Sequence, residues 1–306
     1  PILSAIKKSA VIKVYPMASI TINQKGRELS DIEGLSPLVK GFSDDGKGVE
    51  DLNLLKEAMI RVKEADNIIS SHAEALGYGF SPEAEYIAVE RELELAKKTG
   101  VRYHFCHLST KKSFELVKQA KQSGVDVTCE VTPHHLFLNE KDIKNANYKM
   151  NPPLRSEADM EAAVEALLCG VADMIATDHA PHSKEEKAMP YDIAPCGIIG
   201  FETMFALLTS KLLLKKLCTM EDIIRWTSIN PAKRFRLPDP ELKEGADADI
   251  TVLNLDKTRE YMIDEIASCA KNSPFIGEKL SGFPVLTLRG GETVYNAKEE
   301  LWQKDC

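Results

Sequence analysis

The 306-residue sequence lacks the features that would assign it to a membrane or to a nucleic acid. No stretch approaches the roughly 20 uninterrupted apolar residues of a membrane span, and lysines interrupt the most apolar segment, Phe205–Leu217. An excess of basic residues is also missing: Asp and Glu number 47 against 39 Lys and Arg, which gives a net charge of −8. Because anionic membranes and nucleic acids favour a basic surface, we expect neither as a partner.

Cysteine is scarce and scattered. The seven cysteines are odd in number and include no CxxC pair, and no signal peptide is visible. These cysteine features and the absence of a visible signal peptide predict a reducing, cytoplasmic compartment with free thiols. The sequence opens with Pro1 rather than Met, which we interpret as an internal boundary with a further segment expected upstream.

The sequence does contain a regular alternation of short apolar runs with amphipathic helical patterns. Glu83–Thr99 is typical of the helices, because Ser81 can cap it and Gly100 can end it. Such alternation predicts the α/β class, with parallel strands joined by crossover helices. The candidate strands are Val11–Ser19, Val39–Ser43, Asn67–Ser71, Val101–His107, Val125–Val131 and Ala172–Thr177.

The pattern changes after about residue 240. Gly245–Leu253 and Phe283–Tyr295 are typical of strands joined by turns, and no long helical pattern separates them. We therefore predict an α/β domain over residues 1–240, incomplete at its N-terminus, and a small β part over residues 241–306.

Side chains that bind metals or transfer protons stand at the carboxyl ends of the candidate strands. They are Asp44 and Asp45, His72, His107, His134 and His135, and Asp178 and His179. A parallel α/β barrel places its active site at this face, with one or two residues from each strand. A doubly wound sheet binds its ligand in a single crevice, so the spread over several strands favours the barrel.

Several of these residues also have a structural interpretation. His104 and His107 are three apart on one strand and face opposite sides, so only one can point to the active site, and we take His104 as structural. The adjacent His134 and His135 also diverge and are assigned structural or supporting roles. Asp178 follows the apolar run MIAT and needs a strong partner there, either a helix N-terminus or a metal.

The segment Gly41–Gly48, GFSDDGKG, is one residue short of the phosphate-binding pattern GxxxxGK[ST]. Its last position is Gly, which offers no hydroxyl to magnesium. Two carboxylates also stand where phosphate oxygens would lie. We therefore predict no nucleotide site in this segment.

Several longer motifs follow one another along the sequence. They are FSDDGKGV (42–49), SSHAE (70–74), FCHLST (105–110), VTCEVTPHHLFL (127–138), NPPLR (151–155), ATDHAPHSKEEK (176–187) and APCGIIGFET (194–203). In this order and spacing the sequence resembles dihydroorotases of the bacterial long-chain type, in the amidohydrolase superfamily. The resemblance implies a (β/α)8 TIM-type barrel that carries a two-zinc site, with a β-sandwich part beside it.

The resemblance also implies roles for individual residues. Asp45 would bridge the metals, and His72 and His107 would bind the second zinc. Asp178 would bind the first zinc and shuttle a proton. The implied substrate contacts are Asn151, His182, and the backbone of the loop Ala194–Gly197, which includes Pro195 and Gly197.

The implied reaction is the reversible cyclisation of N-carbamoyl-L-aspartate to dihydroorotate, a step of pyrimidine biosynthesis. The HxH pair that the family carries on its first strand is absent, and we count only strands three to eight. Asp45, His72 and His107 suffice for one zinc site, so we expect at most one tightly bound zinc and little turnover by this chain alone. Unpaired sheet edges would favour a homo-oligomer or association with another segment.

Two alternatives remain open at this point. The first is a sister cyclic amidohydrolase, such as an allantoinase or a hydantoinase. Asp45 in the bridging position, where hydantoinases have a carboxylated lysine, and the NPPLR motif favour the dihydroorotase. The second alternative is a catalytically inactive barrel that serves as a structural partner of aspartate carbamoyltransferase.

Overall fold

The computed structural model describes residues 1–297 and divides their strands between two sheets. The first sheet contains β1 (Ile68–Ser71), β2 (Arg102–Phe105), β3 (Val127–Val131) and β4 (Met174–Ile175). The second contains β5 (Ile250–Glu260), β6 (Lys279–Arg289) and β7 (Glu292–Asn296). The α-helices are α1 (Ile2–Ser9), α2 (Ile32–Leu35), α3 (Leu52–Glu64), α4 (Pro82–Thr99), α5 (Lys111–Gln122), α6 (Pro133–Phe137), α7 (Glu157–Leu168), α8 (Lys184–Lys187), α9 (Met204–Leu208), α10 (Met220–Ile224) and α11 (Asn230–Arg234).

The first sheet is parallel, and its four strands lie side by side in chain order. Two further segments extend it through single bridges, because Phe42 lies beside Ile69 and Ala18 lies beside Phe42. All six candidate strands therefore contribute to one parallel wall, in the predicted order. The helices α3, α4, α5 and α7 connect successive segments of the wall, which confirms the predicted α/β class.

The helices of the wall begin and end near their predicted capping residues, although the Ser81 side chain forms no capping hydrogen bond at the start of α4. The Asp51 carboxylate accepts hydrogen bonds from the backbone N–H groups of Asn53 and Leu54 at the start of α3. Gly100 ends α4 in the left-handed conformation, at a φ of 68°. Their apolar faces bury a core against the strands that includes Leu55, Met59, Val89, Ile69, Tyr103, Phe105 and Val131.

The candidate strand Val11–Ser19 is wrong over most of its length. Val11, Ile12 and Val14 are 56%, 51% and 44% exposed. Interstrand bonding begins at Pro16, whose carbonyl accepts a hydrogen bond from the Lys40 N–H. An apolar β-branched run forms a strand only against a neighbour, and no described residue forms a ladder with residues 11–15.

The second sheet is antiparallel, with β6 between β5 and β7. It packs against α9 and the π-helical segment Thr209–Leu213 that continues α9, which is the apolar segment noted in the sequence. Gly282 of β6 has a φ of 95°, and a Cβ there would collide with the Thr209 side chain. The predicted change of pattern near residue 240 thus matches the change from the parallel to the antiparallel sheet. The division into two domains stays a prediction. Residues 298–306 of the predicted β part lie outside the described residues.

Five cysteines among the described residues are free thiols. Cys269 is disulfide-bonded, so the prediction of free thiols is wrong at that position.

Within residues 1–297, no helix combines the length and the apolar character that crossing a membrane requires.

Candidate active site

Three of the predicted metal ligands meet at one end of the parallel wall. His72 directly follows β1, His107 follows β2 by two residues, and Asp45 follows the bridge at Phe42. One ligand atom from each of Asp45, His72 and His107 lies within 4.8 Å of the other two. The residues come together because parallel strands in chain order present their carboxyl ends at the same edge.

The two imidazoles have the spacing of ligands that share one metal ion. His72 Nδ1 lies 3.1 Å from His107 Nε2, and the rings meet edge to face at an angle of 70°. Two atoms that are each about 2.0–2.1 Å from a tetrahedral zinc are about 3.3 Å apart. Two imidazoles and a carboxylate, with both histidines buried, therefore form a donor set that fits a divalent transition metal.

Two polar side chains fix the orientation of His72. Its Nε2 lies 3.0 Å from Glu74 Oε2, which leaves Nδ1 to face His107. Asn151 Nδ2 donates to the same Glu74 oxygen at 2.9 Å and lies 3.3 Å from His72 Nε2. A carboxylate behind a metal-binding histidine sets its tautomer and increases its basicity.

His107 is held by its backbone. Its φ of 34° is uncommon for a residue other than glycine, and its N–H donates to Glu130 Oε1 at 3.3 Å. Its buried Nδ1 has no hydrogen-bond partner among the described residues. Burial and the neighbouring His72 lower the pKa of His107 to about 4, so the ring is neutral at pH 7, as a metal ligand must be.

Asp178 lies outside the set of three ligand atoms within 4.8 Å. It follows β4 with a φ of 49° and is partly buried. Burial, together with the charges of Asp45 and Glu130, raises the pKa of Asp178 to about 6. Asp178 therefore lies within electrostatic range of the cluster, and its roles as a metal ligand and proton shuttle stay predictions.

A second group of potential ligands, His104, Cys106 and Glu130, lies within the wall. His104 binds Thr128 Oγ1 at 2.9 Å and Glu130 Oε2 at 3.0 Å, and Cys106 Sγ lies 3.0 Å from Ser70 Oγ. Since each ligand atom already has a protein partner, we interpret this group as a buried polar network. The structural role predicted for His104 agrees with these contacts.

The loop predicted to cover the substrate lies beside the segment that follows Asp178. His182 Nε2 is 2.8 Å from the Cys196 carbonyl, and Lys187 Nζ donates to the Pro195 carbonyl at 2.9 Å. The Gly197 N–H donates to the Lys149 carbonyl at 2.9 Å. Asn151 lies beside the metal cluster, whereas His182, Pro195 and Gly197 form this neighbouring loop, and their contacts with substrate stay predictions.

The remaining candidates take structural roles. His134 and His135 are buried on α6, and their ring centroids are 4.4 Å apart, so the prediction that they diverge is wrong because a short helix, not a strand, carries them. Asp44 is buried and accepts hydrogen bonds from the backbone N–H and the hydroxyl of Thr21. Asp44 therefore secures the segment that presents Asp45.

Three carboxylates of this site were not identified from the sequence. Glu74 was detectable, since it stands two residues after His72 within the SSHAE motif. Glu85 and Glu130 reach the site through packing from α4 and β3, and no local pattern marks them. Their contacts with the residues that flank His107 appear only in the folded chain.

Replacing Glu74 by glutamine is expected to weaken metal binding by about 10- to 100-fold, because the substitution keeps the shape but removes the charge behind His72. Competition with a chromogenic chelator measures the affinity. Glu64, exposed at the end of α3, provides the control, and Glu64→Gln should leave the affinity unchanged. An unaltered affinity in Glu74→Gln would show that His72 needs no carboxylate.

Comparison with known proteins places this site in a family. Residues 13–294 match the amidohydrolase family. The chain is 43% identical to the dihydroorotase of Geobacillus thermodenitrificans, over 95% of this chain and 73% of that protein. It is 40% identical to the dihydroorotase of Anoxybacillus flavithermus, over 99% of this chain and 74% of that protein.

Solved structures confirm the predicted fold class. The L-hydantoinase (dihydropyrimidinase) of Arthrobacter aurescens matches with a TM-score of 0.80 and 26% identity, over 91% of this chain and 69% of that one. Dihydropyrimidinase from Brevibacillus agri, at 22% identity, shares the fold with a TM-score of 0.84, over 97% of this chain and 73% of that one. With the ligand cluster, the match to the amidohydrolase family and the similarity to dihydroorotases indicate a metal-dependent enzyme. The chain belongs to the amidohydrolase family and, within it, groups with the dihydroorotases.

Proposed function

We propose that this protein is a dihydroorotase, a hydrolase of cyclic amides that interconverts dihydroorotate and N-carbamoyl-L-aspartate. The observation that carries the proposal is the convergence of Asp45, His72 and His107 at the carboxyl ends of parallel strands. The dihydroorotases at 40–43% identity over nearly the whole chain give the substrate class.

We further propose zinc as the metal. Neutral imidazole and carboxylate are ligands that zinc prefers, and both histidines are buried. Asp45, His72 and His107 would hold the ion. When bound, zinc would polarise the amide carbonyl and lower the pKa of water to about 7.

The chain itself would supply proton transfer and orientation. Asp178 would take the proton of the attacking water on a carboxylate oxygen and deliver it to the leaving amide nitrogen. Asn151 and His182 would bind polar groups of the substrate, and the loop Ala194–Gly197 would close over the ring. Each of these groups lies beside the metal cluster or on the loop next to Asp178.

The substrate class can be tested directly. The metal-loaded protein is assayed with dihydroorotate, hydantoin, dihydrouracil and allantoin, with Asp178→Asn as the inactive control. We expect hydrolysis of dihydroorotate to exceed that of the other compounds. A preference for hydantoin or allantoin, or equal rates with Asp178→Asn, would contradict the proposal.

We also propose that the protein is cytoplasmic and forms a homo-oligomer, and that aspartate carbamoyltransferase is a further partner. The apolar side chains exposed at Val11, Ile12 and Val14 beside the wall support association. A monomeric mass measured by light scattering would contradict the proposed homo-oligomer.

A further inference from the structure

Asn272 has a buried side chain in which both amide hydrogens and the amide oxygen form hydrogen bonds. It lies before β6 and is 3% exposed. Its Nδ2 donates to the carbonyls of Ala180 at 3.1 Å and Gly197 at 3.0 Å, and its Oδ1 accepts from the His182 N–H at 3.3 Å. One side chain therefore connects two segments that are distant from it in sequence.

Both segments flank the candidate active site. The first follows Asp178 and leads to His182, and the second leads from the loop 194–197 into Ile198. They run in parallel, because His179 pairs with Ile198 and the Ala180 N–H donates to the Ile198 carbonyl at 2.8 Å. Asn272 also binds the second segment by its backbone, since its carbonyl accepts from the Ile199 N–H at 3.1 Å.

The spacing between the two segments is narrow. Gly197 has a φ of 137°, and a Cβ there would lie 2.7 Å from Ala180 Cβ and 2.9 Å from His182 Nε2. So small a distance between the two segments requires groups that bind both of them. The two Asn272 donors act on both segments from a single buried amide, and each such bond contributes to stability because an unmet buried group is unfavourable.

We propose that Asn272 is a positioning residue for the reaction. Its side chain sets the distance between two parts of the chain: the segment that contains Asp178 and His182, and the loop 194–197. The proposal rests on the proposed function, since it assigns this loop to the substrate. Asn272 contacts no reacting atom and acts through the His182 N–H and the Gly197 carbonyl. Because the loop would hold the ring in ground state and transition state alike, its displacement should affect KM more than kcat.

Asn272→Asp is the sharpest test, because it keeps the shape but replaces both donors with an oxygen that faces two carbonyls. We expect KM for dihydroorotate to rise by about tenfold, with kcat within about threefold and the zinc content unchanged. Asn272→Ser retains one donor and should give a smaller rise of KM. This variant replaces Asn272→Asp in the test if Asn272→Asp does not fold. An unchanged KM in a folded variant would overturn the proposal.

Asn67→Asp is a matched control. Asn67 is also buried, and its Nδ2 donates to Ser36 Oγ at 2.9 Å and to the Ser36 carbonyl at 3.3 Å. It lies directly before β1, at the end of the wall opposite His72. Asn67→Asp should lower stability without raising KM, and an equal rise of KM in both variants would overturn the specific role of Asn272.

Amide hydrogen exchange separates this proposal from the proposed function. Asn272→Asp should accelerate exchange at the amides of Ala180 and His182 and at residues 197–199, and Asn67→Asp should not. This result is independent of turnover, so it decides the proposal even if wild-type protein does not hydrolyse dihydroorotate. Exchange that rises evenly over the chain, or not at all in these segments, would contradict the positioning role.

Discussion

His107→Ala is expected to eliminate tight zinc binding and to reduce turnover to background. The substitution removes one of three ligands, so the loss of affinity should exceed the roughly 10- to 100-fold loss that follows removal of an outer partner. Without the metal, a cyclic amide and water have no electrophilic assistance. Metal analysis after dialysis, together with a dihydroorotate assay, measures both effects.

His134→Ala provides the control for this experiment. His134 is buried on α6, and its Nε2 has no hydrogen-bond partner among the described residues, so its removal leaves no polar group unpaired. The His134→Ala protein should keep its zinc. Retention of wild-type zinc by His107→Ala would exclude His107 as a ligand and would remove the main support for the site.

Glu85→Ala is expected to lower the free energy of unfolding by about 3–5 kcal/mol, because it leaves a buried arginine without its partner. Glu85 accepts hydrogen bonds from the backbone N–H groups and hydroxyls of Ser109 and Thr110, two and three residues after His107. Arg155 lies 4.0 Å from Glu85 and donates to Ser109 Oγ at 3.0 Å. Urea denaturation measures the change.

The effect of Glu85 should depend on pH in a defined direction. Burial acts to raise the pKa of Glu85, but the charge of Arg155 and the hydroxyl donors outweigh it and hold that pKa below its ordinary value. A carboxyl with a lowered pKa stabilises the fold above its unfolded pKa of about 4.3 and loses this contribution as the pH falls through its folded pKa. The difference between wild type and Glu85→Gln should therefore be complete at pH 7 and shrink in acid.

The exposed Glu90 on the same helix supplies the comparison. Glu90→Ala should change the unfolding free energy by no more than about 0.5 kcal/mol, since its side chain is exposed on α4. A similar small change in Glu85→Ala would mean that the buried network does not hold the segment after His107.

The sequence predicts the ligands better than it predicts the groups that hold them. Asp45, His72 and His107 each end an apolar run, so their convergence follows from parallel strands in chain order. Glu85 and Glu130 are 22 and 23 residues from His107, and their contacts depend on how α4 and β3 pack. Local patterns carry no information about such distances.

The error at Val11–Ser19 has a related cause. A run of β-branched residues indicates strand propensity, but a neighbour decides whether a strand forms. Only the end of this run, from Pro16 to Ala18, lies beside Lys40–Phe42 in the described chain. Asn272 shows the opposite case, since an asparagine in an irregular segment gives no sign in sequence that it connects two distant loops.

The contact between Gly282 and Thr209 limits how this protein can be engineered. With no room for a Cβ at Gly282, the antiparallel sheet cannot be transplanted onto a barrel whose helix carries a bulkier side chain at the position of Thr209. Chimeras between homologues should therefore exchange β6 and the segment after α9 as a unit, whatever junction is chosen near residue 240.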